Sequence, residues 1–234
     1  MPLVRAYLGL GANVGDAPAT LAWAVRRLAS EPGVRVRGVS RLYATRPVGV
    51  ADQPDFHNAA LALDVRFDAD AVTAALALVG RLKALEREAG RRRRGRWGPR
   101  ELDLDLLVFG RRRIHVPRTD GALSADPAEA GVQWLDVPHV AAAERAFVLA
   151  PLADLAPGLA PPGWGVSVGV ALGRRLAMEG PDAVRPVATW DVASGTWRPL
   201  RPDQSTASPG KRKASGASGR QSSGSTTPER GSRA

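Results

Sequence analysis

Apolar residues recur with two different periods in the first half of the chain. Alternation of apolar and polar residues, which is typical of strands with one buried face, marks Val34–Tyr43 and Leu61–Phe67. Spacings of three and four residues, which are typical of amphipathic helices, mark Ala19–Leu28 and Ala71–Ala89. These periods predict two strands and two helices.

Two short apolar runs next to glycines, Val4–Leu10 and Leu102–Phe109, predict two further strands. Asp16 precedes the first helix as a candidate N-cap, and Asp68 or Asp70 can cap the second. The elements then follow the order strand, helix, strand, strand, helix, strand. This order predicts an α+β domain, an antiparallel sheet with helices packed on it.

The second half of the chain has weaker patterns. Ala146–Leu149 predicts a short strand and Val168–Leu176 a final helix, so the domain is expected to span residues 1–176. Residues 177–200 show no clear period, and we expect a loosely packed extension there. Residues 201–234 are rich in Ser, Gly, Thr and Pro and lack large apolar side chains. Such a composition predicts a disordered tail.

The composition excludes several classes of protein. The chain has 234 residues, 44% of them hydrophobic and 24% charged, which suits one domain with its own core. It has no Cys, so a disulfide framework, thiol catalysis and Cys-ligated zinc are excluded. No apolar run approaches the roughly 20 residues of a membrane span, and the N-terminus does not resemble a secretory signal. We therefore expect a cytoplasmic protein that does not bind membranes.

The formal net charge of +10 is concentrated in two segments. Six arginines and no acidic residue lie between residues 91 and 100, and the basic tail carries most of the remaining excess. One interpretation is a basic nucleic-acid-binding module that uses the Arg91–Arg100 loop and the tail. Such modules interleave aromatic residues with the cations, and here only Trp97 does so. The tail's partner stays unknown, and the domain itself is not expected to bind nucleic acid.

Two aspartates follow the arginine-rich loop directly. If Leu102–Phe109 is a strand, Asp103 and Asp105 point to one side, about 6–7 Å apart along the chain, and the intervening leucines face the core. Mg²⁺ is commonly held by one or two carboxylates together with substrate phosphates. A solvated outer face is the alternative. Cations beside paired carboxylates favour a site for phosphoryl transfer.

Three further segments leave alternatives open. Glu86 shares the apolar stripe of its helix, so it faces a ligand or pairs with the arginines that follow. The glycines of Gly9–Gly15 do not fit a dinucleotide motif and predict a tight turn. Thr45–Gly49 and Asp52–Asn58 bracket a loop that could hold a planar heterocycle, although an ordinary polar turn has the same composition.

Four stretches together resemble a known family. They are the Arg-Trp-Gly-Pro-Arg-x-Leu-Asp-Leu-Asp string at 96–105, Gly9–Asp16, Tyr43–Ala59 and Val137–Leu152. In order and spacing they resemble 6-hydroxymethyl-7,8-dihydropterin pyrophosphokinase. The resemblance implies a ferredoxin-like fold and transfer of pyrophosphate from ATP to the pterin hydroxymethyl oxygen, releasing AMP, in folate biosynthesis. It also implies two Mg²⁺ ions, and we expect a monomer.

The resemblance assigns roles residue by residue. Asp103 and Asp105 would hold Mg²⁺, and with Arg91 and Arg100 they would form the catalytic group. The residues expected at ATP are Glu86, Arg93, Arg100, His139 and Arg145, with Glu86 on the adenosine side. The residues expected at the pterin are Thr45, Val48, Phe56, Asn58, Trp97 and Phe147. In this arrangement the pterin stacks between Phe56 and Phe147, and Trp97 closes over it.

The sequence also departs from the family pattern. Residues 118–133 are predicted to be an insertion. Trp134 and Asp136 stand where the family often has a basic residue and a hydroxyl near ATP, and Val140 stands where some members have Tyr. The basic tail has no counterpart in the family pattern. These differences affect the expected ATP contacts and leave the predicted metal pair unchanged.

Overall fold

The computed structural model describes residues 2–47, 53–90, 98–124 and 131–200. The elements, in chain order, are β1 (Leu3–Ala12), α1 (Ala17–Ala29), β2 (Val34–Val39), β3 (Leu42–Thr45), β4 (Phe56–Arg66), α2 (Ala71–Glu88), β5 (Asp103–Phe109), β6 (Ile114–Pro117), β7 (Trp134–Val137), α3 (Ala146–Leu155), α4 (Val168–Glu179), β8 (Arg185–Asp191) and β9 (Thr196–Pro199). The strand–helix order predicted up to β5 is confirmed with one correction: the single strand predicted at Val34–Tyr43 is divided into β2 and β3.

One antiparallel sheet organises the domain. Its strands lie in the order β5, β1, β4, β3, β8, β9, and β2 pairs with the same edge of β4 as β3 does. Strands β6 and β7 form a separate antiparallel pair. With β1 and β4 central, and with α1 and α2 as the crossovers, this is the ferredoxin-like arrangement. The predicted fold class is confirmed.

Helices α1 and α2 cover one face of the sheet, here called the α1–α2 face. Leu8, Leu61 and Leu104 point into it from three different strands, and each is fully buried. Burying a side chain of this kind contributes about 1.5–3 kcal/mol. This face therefore supplies most of the hydrophobic stabilisation.

The opposite face, here called the α3 face, changes character along the strands. At one end, Tyr7, Ala62 and Leu107 pack against Leu149 and Leu152 of α3. At the other end the same strands present aspartates, an asparagine and glycines, and this region is called the polar end below. The sheet thus joins a packed region and a polar region on one face.

Both crossover helices begin at the predicted capping residues. Asp16 accepts a hydrogen bond from the Ala19 N–H at 3.0 Å, and Asp70 accepts from the Val72 and Thr73 N–H groups at 2.8 and 3.0 Å. Of the two aspartates proposed for α2, Asp70 is therefore the cap. Among the residues that the structure describes, no helix is long and apolar enough to cross a membrane.

The strand predicted at Ala146–Leu149 is wrong, because these residues begin the helix α3. A run of four apolar residues fits either period, and the run alone does not distinguish them. The residues that follow decide the matter: Leu149, Leu152 and Ala153 repeat at helical spacing and are all buried against the sheet.

The loosely packed extension predicted for residues 177–200 is also wrong. This segment forms β8 and β9, and β8 pairs with β3 so that the main sheet is extended. Trp197 is only 8% exposed, and its Nε1–H donates to the Ser40 carbonyl at 3.0 Å. Its ring packs edge-on against Trp190, with centroids 4.7 Å apart. The C-terminal hairpin is therefore part of the core.

Two predicted segments fall wholly or partly outside the described residues. The predicted tail, residues 201–234, lies entirely outside them. The predicted insertion, residues 118–133, connects β6 to β7, and its two ends are hydrogen-bonded to each other. Arg118 N–H donates to the Gln133 carbonyl at 2.7 Å, and the Gln133 amide donates to the Ser124 carbonyl at 3.2 Å. Its ends therefore continue the hairpin.

Candidate active site

Strand β5 brings two carboxylates to the polar end. Asp103 and Asp105 face the same side of the strand, with side chains 25% and 33% exposed. Leu102, Leu104 and Leu106 face the opposite side and are buried. The predicted alternation is confirmed: the buried leucines anchor this segment in the core, and the two aspartates between them stay partly exposed.

Each of these carboxylates lies near a cation. Arg100 Nη1 is 2.8 Å from Asp103 Oδ2, and Lys83 Nζ is 3.9 Å from Asp105 Oδ1. Carboxylate oxygens are the ligands that Mg²⁺ prefers, so this donor set fits the ion. Within the described ranges, no group of three or more His, Asp or Glu side chains is placed to hold a metal ion.

A buried ion pair on α2 holds the peptide between the two aspartates. Lys83 Nζ donates to Glu86 Oε1 at 2.6 Å and to the Leu104 carbonyl at 3.0 Å. The Leu104 N–H donates to Glu86 Oε1 at 2.8 Å. Because β5 is an edge strand of the sheet, these side chains occupy the hydrogen-bonding positions of a missing neighbour strand.

Lys83 is charged in this setting. Burial of the ammonium would lower its pKa, but the carboxylates of Glu86, Asp105 and Asp103 raise the pKa of Lys83 above its ordinary value. The positive charge of Lys83 is therefore held in a fixed position beside the two aspartates. Lys83 was not predicted from the sequence. One sequence feature could have pointed to Lys83: Glu86 lies three residues later, within pairing distance on the same helix.

Glu86 faces the protein interior, where it bonds with Lys83 and β5. It is 2% exposed, and its described partners are Lys83 and the Leu104 N–H. These contacts give it a role in holding β5. Its contact with adenosine stays a prediction.

Glycines on β1 separate the aspartates from the other half of the polar end. Gly11 is in register with Asp103 on one side and Asn58 on the other, and Gly9 lies on the same face. A Cβ on Gly11 would lie 3.3 Å from Asn58 Oδ1. The tight turn predicted here is wrong for both glycines, which lie within the strand; the turn follows at Gly15, where φ is +63°. The result is a floor without side chains.

A buried amide and a hydroxyl lie on the far side of this glycine floor. Asn58 Nδ2 donates to Thr45 Oγ1 at 2.9 Å, and both residues are largely buried. Phe56 is paired with Thr45 across β3 and β4 and is half-buried. The predicted loop therefore ends earlier than expected, because β4 begins at Phe56; Phe56 and Asn58 lie on β4, and Thr45 lies on the paired strand β3.

Asn13 ties the two halves of the polar end together. Its Oδ1 accepts from the Arg100 N–H at 2.7 Å, and its own N–H donates to the Arg100 carbonyl at 2.9 Å. Its Nδ2 donates to Gln53 Oε1 at 3.1 Å and to the Pro54 carbonyl at 3.2 Å. Sequence analysis did not single out Asn13, because its partners lie far away in the chain.

The start of α3 and the end of β7 contribute three more of the predicted residues. The His139 N–H donates to the Leu107 carbonyl at 2.9 Å, which anchors it beside β5. The Arg145 guanidinium lies 5.7 Å from the Phe147 ring centroid. Phe147 is half-buried and packs with Tyr43, which is the β3 partner of Asn58. All three therefore lie on elements that pack on the α3 face.

The structure gathers part of the predicted set around the glycine floor. With neighbouring strands about 4.8 Å apart, Asp103 and Asn58 are separated by roughly 10 Å across Gly11. Four predicted residues lie outside the described ones: Val48, Arg91, Arg93 and Trp97.

The two departures noted near ATP lie on the β6–β7 hairpin. The Trp134 ring stacks on His115, with centroids 4.4 Å apart and planes within 4° of parallel. Asp136 Oδ1 lies 2.7 Å from His115 Nδ1. His115 therefore contacts both side chains.

Comparisons with known sequences agree on one family. The family model described as 7,8-dihydro-6-hydroxymethylpterin-pyrophosphokinase matches residues 7–157. A Methylorubrum extorquens protein named 2-amino-4-hydroxy-6-hydroxymethyldihydropteridine pyrophosphokinase is 41% identical over 157 residues, which is 67% of this chain and 85% of that protein. A protein of the same name from Pseudomonas aeruginosa is 41% identical over 155 residues, 66% of this chain and 82% of the relative.

Solved structures agree on the fold. The crystal structure of wild-type Plasmodium falciparum HPPK-DHPS with pteroate aligns with a TM-score of 0.59 at 14% identity. The alignment covers 85% of this chain, which spans about half (48%) of the length of that protein. At this identity the likeness shows a shared fold and carries no residue assignments.

Proposed function

This chain belongs to the 7,8-dihydro-6-hydroxymethylpterin-pyrophosphokinase family, and from that premise we propose how its residues serve the reaction. The enzyme transfers a pyrophosphoryl group from ATP to the hydroxymethyl group of 6-hydroxymethyl-7,8-dihydropterin in folate biosynthesis. The pterin hydroxyl oxygen bonds to the β-phosphorus, and the bond from that phosphorus to the α,β-bridging oxygen breaks. AMP leaves, and the hydroxyl proton is released.

One observation carries the assignment of the site. Paired carboxylates and an amide–hydroxyl pair lie on opposite sides of a glycine floor, about 10 Å apart. A substrate lying across Gly11 would have its phosphates at Asp103 and its heterocycle at Asn58. Rigid strands set this separation, so much of the catalysis comes from positioning the two reactants.

At the phosphate side, Asp103 and Asp105 would hold the Mg²⁺ ions, which we propose number two. Bound Mg²⁺ neutralises phosphate charge. Arg100 contacts Asp103 and so has its guanidinium next to the triphosphate position. The remaining ATP contacts of the proposal come from Arg91, Arg93, His139 and Arg145, and from Glu86 on the adenosine side.

At the pterin side, the proposal relies on neutral hydrogen-bonding groups and aromatic rings. Asn58 and Thr45 would bond the edge of the heterocycle, together with the backbone of Val48. A buried side-chain amide both donates and accepts, which suits the mixed edge of a pterin. Phe56 and Phe147 would stack on its two faces, and Trp97 would close over the site.

We also propose that the enzyme acts in the cytoplasm as a monomer. The absence of Cys agrees with a reducing compartment. At the edge strand β5, the Leu104 peptide is bonded by Lys83 and Glu86, which opposes addition of a strand from another chain there. Size-exclusion chromatography with light scattering tests the monomer.

An AMP-release assay with ATP, Mg²⁺ and the reduced pterin alcohol tests the function directly. We expect AMP in amounts equal to the pterin diphosphate formed, and no AMP when either the pterin or Mg²⁺ is omitted. Absence of AMP with all components present, together with tight binding of nucleic acid, would instead support the basic-module alternative.

A further inference from the structure

We propose that Lys83 is a positioning residue whose buried charge makes Mg²⁺ binding at Asp103 and Asp105 depend on the nucleotide. The inference rests on the proposed metal role of the two aspartates. It adds that the protein itself disfavours metal binding until phosphates arrive. Lys83 lies on α2, outside the strand that carries the carboxylates.

The two cations beside the aspartates differ in how they are held. The Arg100 side chain is 27% exposed and precedes β5 in an irregular segment. The Lys83 side chain is 6% exposed and is fixed between Glu86 Oε1 and the Leu104 carbonyl. A partly exposed guanidinium beside Asp103 can reach an incoming phosphate. A buried ammonium bonded to helix and strand stays where it is.

A fixed cation 3.9 Å from Asp105 acts on any ion that this carboxylate binds. Like charges a few ångströms apart repel strongly where water is excluded. In the protein without nucleotide, Lys83 therefore neutralises part of the negative charge of the aspartates that would attract Mg²⁺. A triphosphate brings several negative charges and reverses the balance. The ion is then bound together with ATP rather than before it.

A purely structural role for Lys83 makes the opposite prediction. If the lysine served only to hold β5 in place, removing it would loosen Asp105 and weaken metal binding. If its charge matters as proposed, removing the charge while keeping a hydrogen-bond donor strengthens metal binding. The direction of the change separates the two.

The experiment measures Mn²⁺, as a probe for Mg²⁺, binding to the full chain without nucleotide by electron paramagnetic resonance. Lys83→Gln keeps a donor for the Leu104 carbonyl and removes the charge. Arg81→Gln is the matched control, because it removes one positive charge from an exposed position of the same helix, where Arg81 pairs with Glu31. We expect Lys83→Gln to lower the Kd for Mn²⁺ by about tenfold or more, and Arg81→Gln to leave it unchanged.

An unchanged or higher Kd in Lys83→Gln would overturn the proposal. A gain that persists when Asp105→Asn is added would overturn it as well, because Mn²⁺ would then bind elsewhere. That second result would also argue against a metal role for Asp105. The AMP-release assay tests the proposed reaction independently of both results. If Lys83→Gln does not fold, Lys83→Met, which removes the charge and keeps the length of the side chain, carries the same measurement, with the same direction expected.

A second readout uses a non-hydrolysable ATP analogue. The ratio of the Mn²⁺ Kd without and with the analogue measures how strongly the two ligands depend on each other. We expect this ratio to fall in Lys83→Gln, because phosphates dominate ion binding in the complex and the lost lysine charge therefore lowers the Kd mainly in the free protein. A ratio equal to that of the wild type would contradict the role assigned to Lys83.

Discussion

The two faces of the sheet use the same strands for opposite purposes. On the α1–α2 face, β5 contributes Leu104, which is completely buried, as is Leu102 directly before the strand. On the α3 face, the same strand contributes Asp103 and Asp105, which stay partly exposed. Alternation along one strand thus places stabilising and chemical groups one residue apart. Stability and activity should therefore respond to different substitutions, even at adjacent positions.

Asp105→Ala should have the largest effect on the polar face. Removing one of two Mg²⁺-binding carboxylates should reduce AMP release by about a thousandfold or more, because charge neutralisation supplies much of the catalysis. Glu86 still pairs with Lys83, so the thermal midpoint should change little. Glu88→Ala, at an exposed position of α2, is the control. Turnover near the wild-type rate would remove Asp105 from the metal site.

Leu104→Ala tests the opposite face of the same strand. It leaves a cavity between β5 and the crossover helices, and we expect it to reduce the free energy of unfolding by about 2–5 kcal/mol. The backbone groups that contact Lys83 and Glu86 remain, so the folded variant should keep its turnover rate. Urea unfolding and AMP release on the same sample check both. A large loss of turnover at full folding would mean that the two faces are coupled.

Gly11→Ala should alter the glycine floor between the proposed phosphate and pterin positions. Its backbone accepts any residue, but the new methyl group would lie 3.3 Å from Asn58 Oδ1 and displace the amide. We expect the KM for the pterin to rise about tenfold, since a misplaced hydrogen bond costs roughly 1–3 kcal/mol, and the KM for ATP to change less. Gly173→Ala, where a methyl group meets open space, is the control. Equal KM values for variant and wild type would argue against a substrate lying over this floor.

Truncation after Leu200 should have the smallest effect. The removed residues are the predicted basic tail, and the described site lies within the residues that remain. The turnover rate should therefore equal that of the full chain. Truncation after Gly180 provides the contrast, because it also removes β8 and β9 and with them Trp197 from the core. A large loss from the first truncation would show that the tail takes part in the reaction.

Local periodicity was enough to predict both crossover helices, the strands up to β5 apart from the break between β2 and β3, and the position of the aspartates. Asp103 and Asp105 could be placed because neighbouring residues of one strand determine which way they point. Lys83 could not be predicted, because its burial depends on how α2 meets the edge of β5. Gly9 and Gly11 were assigned to a turn for a similar reason. Glycine favours turns locally. Only the register of β1 with β4 and β5 shows that Gly9 and Gly11 lie within a strand, where they leave a surface without side chains.

The C-terminal hairpin, β8 and β9, could not be predicted because the residues that it contacts, in β3 and at Ser40, are distant in sequence. Trp197 packs and bonds with a carbonyl 157 residues earlier, and β9 has only four residues. Short strands carry little periodic signal of their own. The same holds for the first turn of α3, where a short apolar run became helical through its contacts with the sheet.

The pairing of β8 with β3 also has a consequence during translation. Strand β3 has an outer neighbour only when β8 has been synthesised, although the residues proposed for chemistry are all made earlier. The growing chain therefore carries an unpaired strand edge through most of its synthesis, a feature that invites association with other chains. Release from the ribosome after Phe147 and before residue 185 would yield a protein with every proposed site residue and an open sheet edge.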